Sequence, residues 1–152
     1  MNLVKVKDNF YNECIKKGTT KELMFNEKGR PCVLIVRLKY KSKQRKFIVP
    51  LRSNVAASAP SWQYFPLPPN NNTRSGNKHA IHYIKLFPIT NKYIDKYNIE
   101  NNDFLQMIDD KITSNKKEVV DKCQEYLSNY EMGKGHSMTP DIDGILEWLE
   151  DE

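Results

Sequence analysis

Apolar and polar residues alternate most cleanly between residues 32 and 51. In Cys32-Val-Leu-Ile-Val-Arg-Leu-Lys-Tyr40, the positions Leu34, Val36, Leu38 and Tyr40 recur with period two, opposite Arg37 and Lys39. That is the pattern of a half-buried strand. Lys46-Phe-Ile-Val-Pro-Leu51 repeats it with Phe47, Val49 and Leu51. The pair predicts a hairpin around a polar, basic loop at 41–45. Pro50 places the end of the second strand at an edge or a bulge. Residues 3–7 alternate weakly, as an edge strand does, and the apolar run 79–89 predicts a third core strand.

Elsewhere the period lengthens. Asp8 reads as the N-cap of a short helix over 9–17, ended by Gly18. Phe104, Leu105, Ile108 and Ile112 form the apolar stripe of a helix over 103–114, and Val119, Cys123, Tyr126, Leu127 and Tyr130 that of one over 116–130. Thr139-Pro140 reads as N-cap and first position of a last helix, facing inward through Ile142, Ile145, Leu146 and Leu149. Residues 27–31 read as a turn, and 52–78 as a long irregular segment. Early strands and late helices predict an α+β fold, a twisted and mostly antiparallel sheet with flanking helices. At 152 residues a single domain over 1–152 is expected.

Charge changes the picture. Residues 1–90 hold 17 Lys/Arg against 4 Asp/Glu, a net of +13, while 91–152 hold 7 against 15, a net of −8. No acidic residue lies between Lys28 and Ile94, where 13 positions are Lys or Arg. A solvated surface usually mixes signs, so a block this uniform on a folded segment points to a polyanionic partner. Nucleic acid fits best; an acidic protein or a membrane surface fits the same pattern. No apolar run approaches a membrane span, and the first residues lack an apolar signal core, which predicts a cytoplasmic protein with no membrane partner. Cys14, Cys32 and Cys123 form no C-x-x-C pair and read as small buried hydrophobes.

Candidate chemistry narrows accordingly. Arg74-Ser-Gly-Asn-Lys-His79 matches an R-x4-H pattern of helical ribonucleases, but Gly76, Asn77 and the Pro-rich flank deny it a helix. His79 and His82, three apart on a strand, point to opposite faces and do not share a metal ion. Asp8, Glu13, Glu22 and Glu27 are too scattered for a two-metal nuclease, so no metal or other cofactor is expected. RNA offers a metal-free route, because its 2′-hydroxyl is the nucleophile. The protein then moves two protons and stabilises a charged phosphorane. Arg52, Ser53, His79 and His82 are the candidate catalytic residues. Asn54, Lys78, Tyr83 and Lys85 beside them, Arg74 in the long segment, and Lys39, Lys43 and Arg45 on the hairpin are candidates for holding RNA. Trp62, with Tyr64 and Phe65, offers aromatic faces for bases or pins the long segment to the core.

Four ordered strings carry a family resemblance: Arg30-Pro-Cys-Val-Leu-Ile-Val-Arg-Leu-Lys-Tyr40, Phe47-Ile-Val-Pro-Leu-Arg-Ser-Asn54, Tyr64-Phe-Pro-Leu-Pro-Pro69, and Asn77-Lys-His-Ala-Ile-His-Tyr-Ile-Lys85 with Phe87-Pro-Ile89. Together they resemble the toxins of type III toxin–antitoxin systems, in the CptN/TenpN branch, with ToxN and AbiQ as more distant relatives. The resemblance implies a MazF/Kid-like twisted sheet and a metal-independent endoribonuclease that leaves a 2′,3′-cyclic phosphate. It also implies inhibition by a small, repeated, pseudoknotted antitoxin RNA, cut from its precursor and held in a closed protein–RNA assembly. Cellular RNA is the implied substrate and phage defence the implied setting. In ToxN-like relatives the second strand ends Pro-Leu-Thr-Ser-Pro-Lys. This chain keeps Pro50, Leu51 and Ser53, with Arg52 in place of the threonine and Val55 in place of the lysine. Arg52, Lys78 or Lys85 then has to supply the missing cation. The resemblance further aligns Tyr11 and Arg30 with RNA-contacting positions. A non-catalytic RNA-binding protein, or a MazF-like toxin with a protein antitoxin, remains the alternative.

Overall fold

The two alternating segments pair as a hairpin near the middle of a seven-stranded sheet. The computed structural model describes residues 3–25 and 33–152; the expected turn at 27–31, with Arg30 and Cys32, lies outside them. β2 (Val33–Tyr40) and β3 (Lys43–Val55) run antiparallel, in register from Val33↔Pro50 to Tyr40↔Lys43. Leu34, Val36, Leu38 and Tyr40 are buried while Arg37 and Lys39 face solvent, as period two requires. The connection is shorter than the five residues expected. Lys41 and Ser42 alone turn the chain, both at positive φ (49° and 68°). A two-residue turn of that hand matches the twist of the strands it joins, which offsets placing two non-glycine residues there.

β3 does not stop at Pro50. It runs on to Val55, and its second neighbour explains why proline is tolerated in mid-strand. β5 (Lys78–His82) and β6 (Phe87–Pro88) lie end to end along the side of β3 away from β2, separated by a 3₁₀ turn at Tyr83–Lys85. β6 pairs with Phe47 and Ile48, and β5 with Leu51, Arg52 and Val55. On that side the Lys46 carbonyl accepts the Ile89 N–H at 3.0 Å. By strand alternation the Pro50 nitrogen points the same way, into the gap between β6 and β5, where no ladder donor is needed. The bulge expected at Pro50 lies a few residues later, between Arg52 and Val55.

The segment expected to be irregular contains β4 (Tyr64–Leu67), which pairs with β5 at the sheet edge. β1 (Leu3–Val6) pairs with β2 and also with β7 (Ile94–Lys96), a strand no pattern announced. The order is β4-β5-β3-β2-β1-β7, with β6 beside β3, and every pairing is antiparallel.

The helices α1 (Asp8–Lys17), α2 (Asp103–Ser114), α3 (Lys116–Glu131) and α4 (Ile142–Glu150) lie where the periodicity predicts. Two caps differ. Asp8 is the first helical residue and Lys7 the cap position, without a side-chain bond. Asp141, not Thr139, caps α4 by accepting the Gly144 N–H at 3.0 Å; Thr139 is buried and bonds the Tyr126 hydroxyl instead. Ile108 and Ile112 of α2 and Val119, Cys123 and Leu127 of α3 join the core cluster of Leu34, Val36, Phe47 and Val49. Phe10 and Cys14 of α1 and Trp148 and Leu149 of α4 cluster with Ile48 and Phe87 on the opposite face. With both faces covered, Phe47, Ile48, Val49 and Pro50 are all buried. The architecture is the expected α+β one. No helix among the described residues is long and apolar enough to cross a membrane.

Candidate functional site

The end of β3 is where the sheet turns its chemistry outward. Arg52 pairs with Ala80, and Tyr64 with His82, so Arg52, Ala80, His82 and Tyr64 share one face of the sheet. Leu51, Ile81 and Phe65 share the other, which belongs to the core under α2 and α3. The bulge then re-aims the chain. Val55 returns to the face of Ala80 and Tyr64, and Ser53 and Asn54 lie within the irregularity. Ser53 is buried, and its Oγ accepts a bond from Asn70 Nδ2 at 2.9 Å, which leaves its own proton free to donate. Asn70 is held in turn by Thr73, whose Oγ1 lies 3.1 Å from both Asn70 N and Oδ1.

Arg52 and Lys85 lie near enough for their charges to act on His82. Lys85, 5% exposed, comes from the 3₁₀ turn after β5. Its ammonium donates to Glu22 Oε2 at 2.9 Å and to the Glu22 carbonyl at 3.3 Å. His82 is 3% exposed, and neither ring nitrogen has a hydrogen-bond partner among the described residues. Burial first, then the positive fields of Arg52, Lys85 and His136, push its pKa down to about 3. It is a neutral base at physiological pH. The Glu22 carboxyl is held below the usual range, by its bond to Lys85 first, with a smaller pull from Arg52.

Other expected site residues lie elsewhere. His79 faces the core side of β5. It donates from Nδ1 to the Pro68 carbonyl at 2.7 Å and stacks on Phe104 of α2, with ring centres 6.2 Å apart. Burial lowers its pKa, against that bond. The two histidines point to opposite faces, as their spacing predicts, and His79 does not join Arg52 and Ser53. Tyr83 is buried in the core with Cys123, and burial raises its hydroxyl pKa. Tyr11 is buried between Phe10 and Phe25, with its hydroxyl pKa raised chiefly by burial. Asn54 spends its amide on its own chain: Nδ2 donates to the Asn72 carbonyl at 2.9 Å, and Oδ1 accepts from Arg74 N at 2.8 Å and Asn77 Nδ2 at 3.3 Å. It clamps the 70–77 loop.

The hairpin cations divide. Lys39 and Lys43 are exposed, and the Lys39 backbone is anchored to the Gln124 side chain at 2.8 and 2.9 Å. Arg45 is engaged inside the fold by the Tyr40 carbonyl at 2.9 Å and by Glu150. Arg74 is exposed on the clamped loop, and Lys78 donates to the Tyr64 hydroxyl while lying 4.9 Å from that ring's centre. Trp62 is 49% exposed and stacks on Tyr126 at 6.1 Å with planes 15° apart. Tyr64 and Phe65, its expected companions, are buried. Trp62 instead shares a hollow of about 380 Å³ with Lys122, Glu125, Asn129 and Lys134.

Three residues of this region escaped sequence reasoning. Glu22 is one of four acids scattered through the first 90 residues. His136 sat in a glycine-rich break, and Asn70 in an asparagine run. None had a motif to flag it; the contacts that matter span 17 to 63 residues of chain. Among the described residues, no three His, Cys, Asp or Glu side chains are grouped to hold a metal ion.

No protein-family model matches this chain, and no curated protein does. Three chains of solved structures match, one of them with a TM-score of 0.71 at 17% identity, over 100% of this chain and 99% of the other. It comes from a bacterial antiviral system that a processed non-coding RNA regulates. At that identity the likeness establishes one thing, a fold shared along the whole length of the two chains.

Proposed function

We propose that this chain is the endoribonuclease toxin of a type III toxin–antitoxin system, a single domain over 1–152 acting in the cytoplasm. The observation that carries the reading is a neutral His82 that shares a sheet face with Arg52 and feels the charges of both Arg52 and Lys85, within the acid-free part of the chain. The fold shared with a component of an RNA-regulated antiviral system supports the same reading, as do the type III strings in the sequence. An RNA antitoxin, small, repeated and pseudoknotted, is the proposed inhibitor, held in a closed assembly. Cellular RNA is the proposed substrate.

In the proposed reaction the 2′-hydroxyl attacks the adjacent phosphorus and the 5′-oxygen leaves, so the upstream product ends in a 2′,3′-cyclic phosphate. His82, neutral and with free nitrogens, takes the 2′ proton and, as the imidazolium, passes it to the departing 5′-oxygen. Its depth means the side chains above it part as RNA binds. Arg52 and Lys85 hold the phosphorane oxygens, and the Ser53 hydroxyl donates to one of them. Arg52 thereby serves where related toxins carry a lysine at the position of Val55. His79, turned to the other face, positions β5 against α2.

Purified protein, incubated with RNA in excess EDTA, is expected to cleave and to leave a cyclic phosphate. A single 2′-deoxy sugar at the cut site is expected to block cleavage while binding persists. Activity abolished by EDTA and restored by magnesium would overturn the mechanism. The burial of His82 and the pairing of Lys85 with Glu22 favour a second reading, RNA binding without cleavage. That reading prevails if the folded protein binds RNA and never cuts it.

A further inference from the structure

We propose that Lys85 and Arg52 form a phosphate site that Glu22 fills in the free protein, and that an incoming phosphodiester displaces this carboxylate. The inference rests on the nucleic-acid reading above and names a regulation of the same site. Its basis is an asymmetric ion pair. The Lys85 side chain is 6% exposed and the Glu22 side chain 40% exposed, with 2.9 Å between the charged atoms. The ammonium is buried on a turn fixed between two strands, whereas the carboxylate reaches it from a surface turn after α1. A buried ammonium needs an anionic partner, but the partner can change. The half-exposed carboxylate is the one that moves.

The backbone of Glu22 points the same way. Its φ is +54°, a region that disfavours any residue with a β-carbon and recurs where function demands it. The Leu23 N–H closes a turn around it on the Thr20 carbonyl at 3.1 Å, and Lys85 bonds both its carboxylate and its carbonyl. The carboxylate also lies within the field of Arg52. A phosphodiester carries one negative charge, as a carboxylate does, so the exchange leaves the charge of the site unchanged. Its two free oxygens accept bonds from an ammonium and a guanidinium as a carboxylate's do. Glu22 keeps the buried cation neutralised and releases it to a ligand of matching charge.

The test uses a short single-stranded 2′-deoxyoligonucleotide, a phosphodiester that offers no 2′-hydroxyl, and the full chain. Glu22→Gln is expected to bind it about tenfold more tightly than wild type. Glu13→Gln makes the same change in net charge on α1 and is expected to leave affinity within about twofold. Lys85→Met is expected to abolish the gain in the Glu22→Gln background. Glu22→Gly, which suits the positive φ, repeats the test should glutamine disturb the turn. Equal gains from Glu22→Gln and Glu13→Gln, or a gain that survives Lys85→Met, overturn the displacement. RNA cleavage by wild type is scored separately. Its absence alongside a tenfold gain defeats the enzyme reading and keeps the anion site, whereas cleavage with no gain defeats the anion site alone.

Discussion

Asn54 accepts the backbone N–H of Arg74 at 2.8 Å across a separation of 20 residues. The same amide donates to the Asn72 carbonyl at 2.9 Å, so one side chain in the bulge of β3 holds both sides of the loop tip. The loop carries Asn70, which orients Ser53. Asn54→Ala is expected to cost about 1–2 kcal/mol of stability and to loosen residues 70–77. Hydrogen exchange at the Arg74 amide, or trypsin cutting after Arg74, reads this directly. Unchanged protection of Arg74 would remove the clamp.

Ser53→Ala deletes one hydroxyl with little change in volume. Should Ser53 donate to the phosphorane, cleavage is expected to fall by roughly 2.7–4 kcal/mol of transition-state energy, a hundredfold or more. RNA affinity is expected to hold, because distributed cations supply most of it. Single-turnover rates beside binding curves separate the two. A cleavage rate equal to wild type in a folded protein sinks the assignment.

His82 ties stability to pH. Its folded pKa is about 3, below the ordinary 6.5 that the unfolded chain regains. Between these values the unfolded state binds a proton that the native state refuses. Its contribution is complete above pH 6.5 and is lost as pH falls towards 3. By pH 5 the loss is expected to approach about 2 kcal/mol, at 1.36 kcal/mol per unit. Urea unfolding of wild type and His82→Met at pH 7 and pH 5 checks it. The variant is expected to lose less, and equal losses in both would acquit His82.

Charge reversal on the hairpin is expected to separate two roles. Lys39→Glu and Lys43→Glu act on exposed cations and are expected to weaken RNA binding and flatten its salt dependence, by roughly 0.7 in slope per lost phosphate contact. Arg45→Glu sets a carboxylate against Glu150 and breaks the bond to the Tyr40 carbonyl. It is expected to lower the melting temperature first. Unaltered affinity and slope in the two lysine variants mean that the hairpin tip is merely solvated.

Much of this molecule was legible in the order of its residues, because the legible parts depend on neighbours in sequence. Period two placed Leu34, Val36, Leu38 and Tyr40 in the core, and the 3.6-residue period placed the buried faces of α2, α3 and α4. The missing acids between Lys28 and Ile94 marked the basic half without reference to any fold. Tertiary structure decided the rest, because the rest depends on which distant segments meet. Pro50 stays inside β3 only because β5 and β6 leave a gap opposite its nitrogen, and β4 and β7 exist only because partners accept them. Arg52 and Ser53 could be proposed for the site from the sequence, but which histidine shares the face of Arg52 was decided only by the pairing of β3, β4 and β5. Glu22 reaches Lys85 across 63 residues of chain, and no local pattern carries a contact of that length.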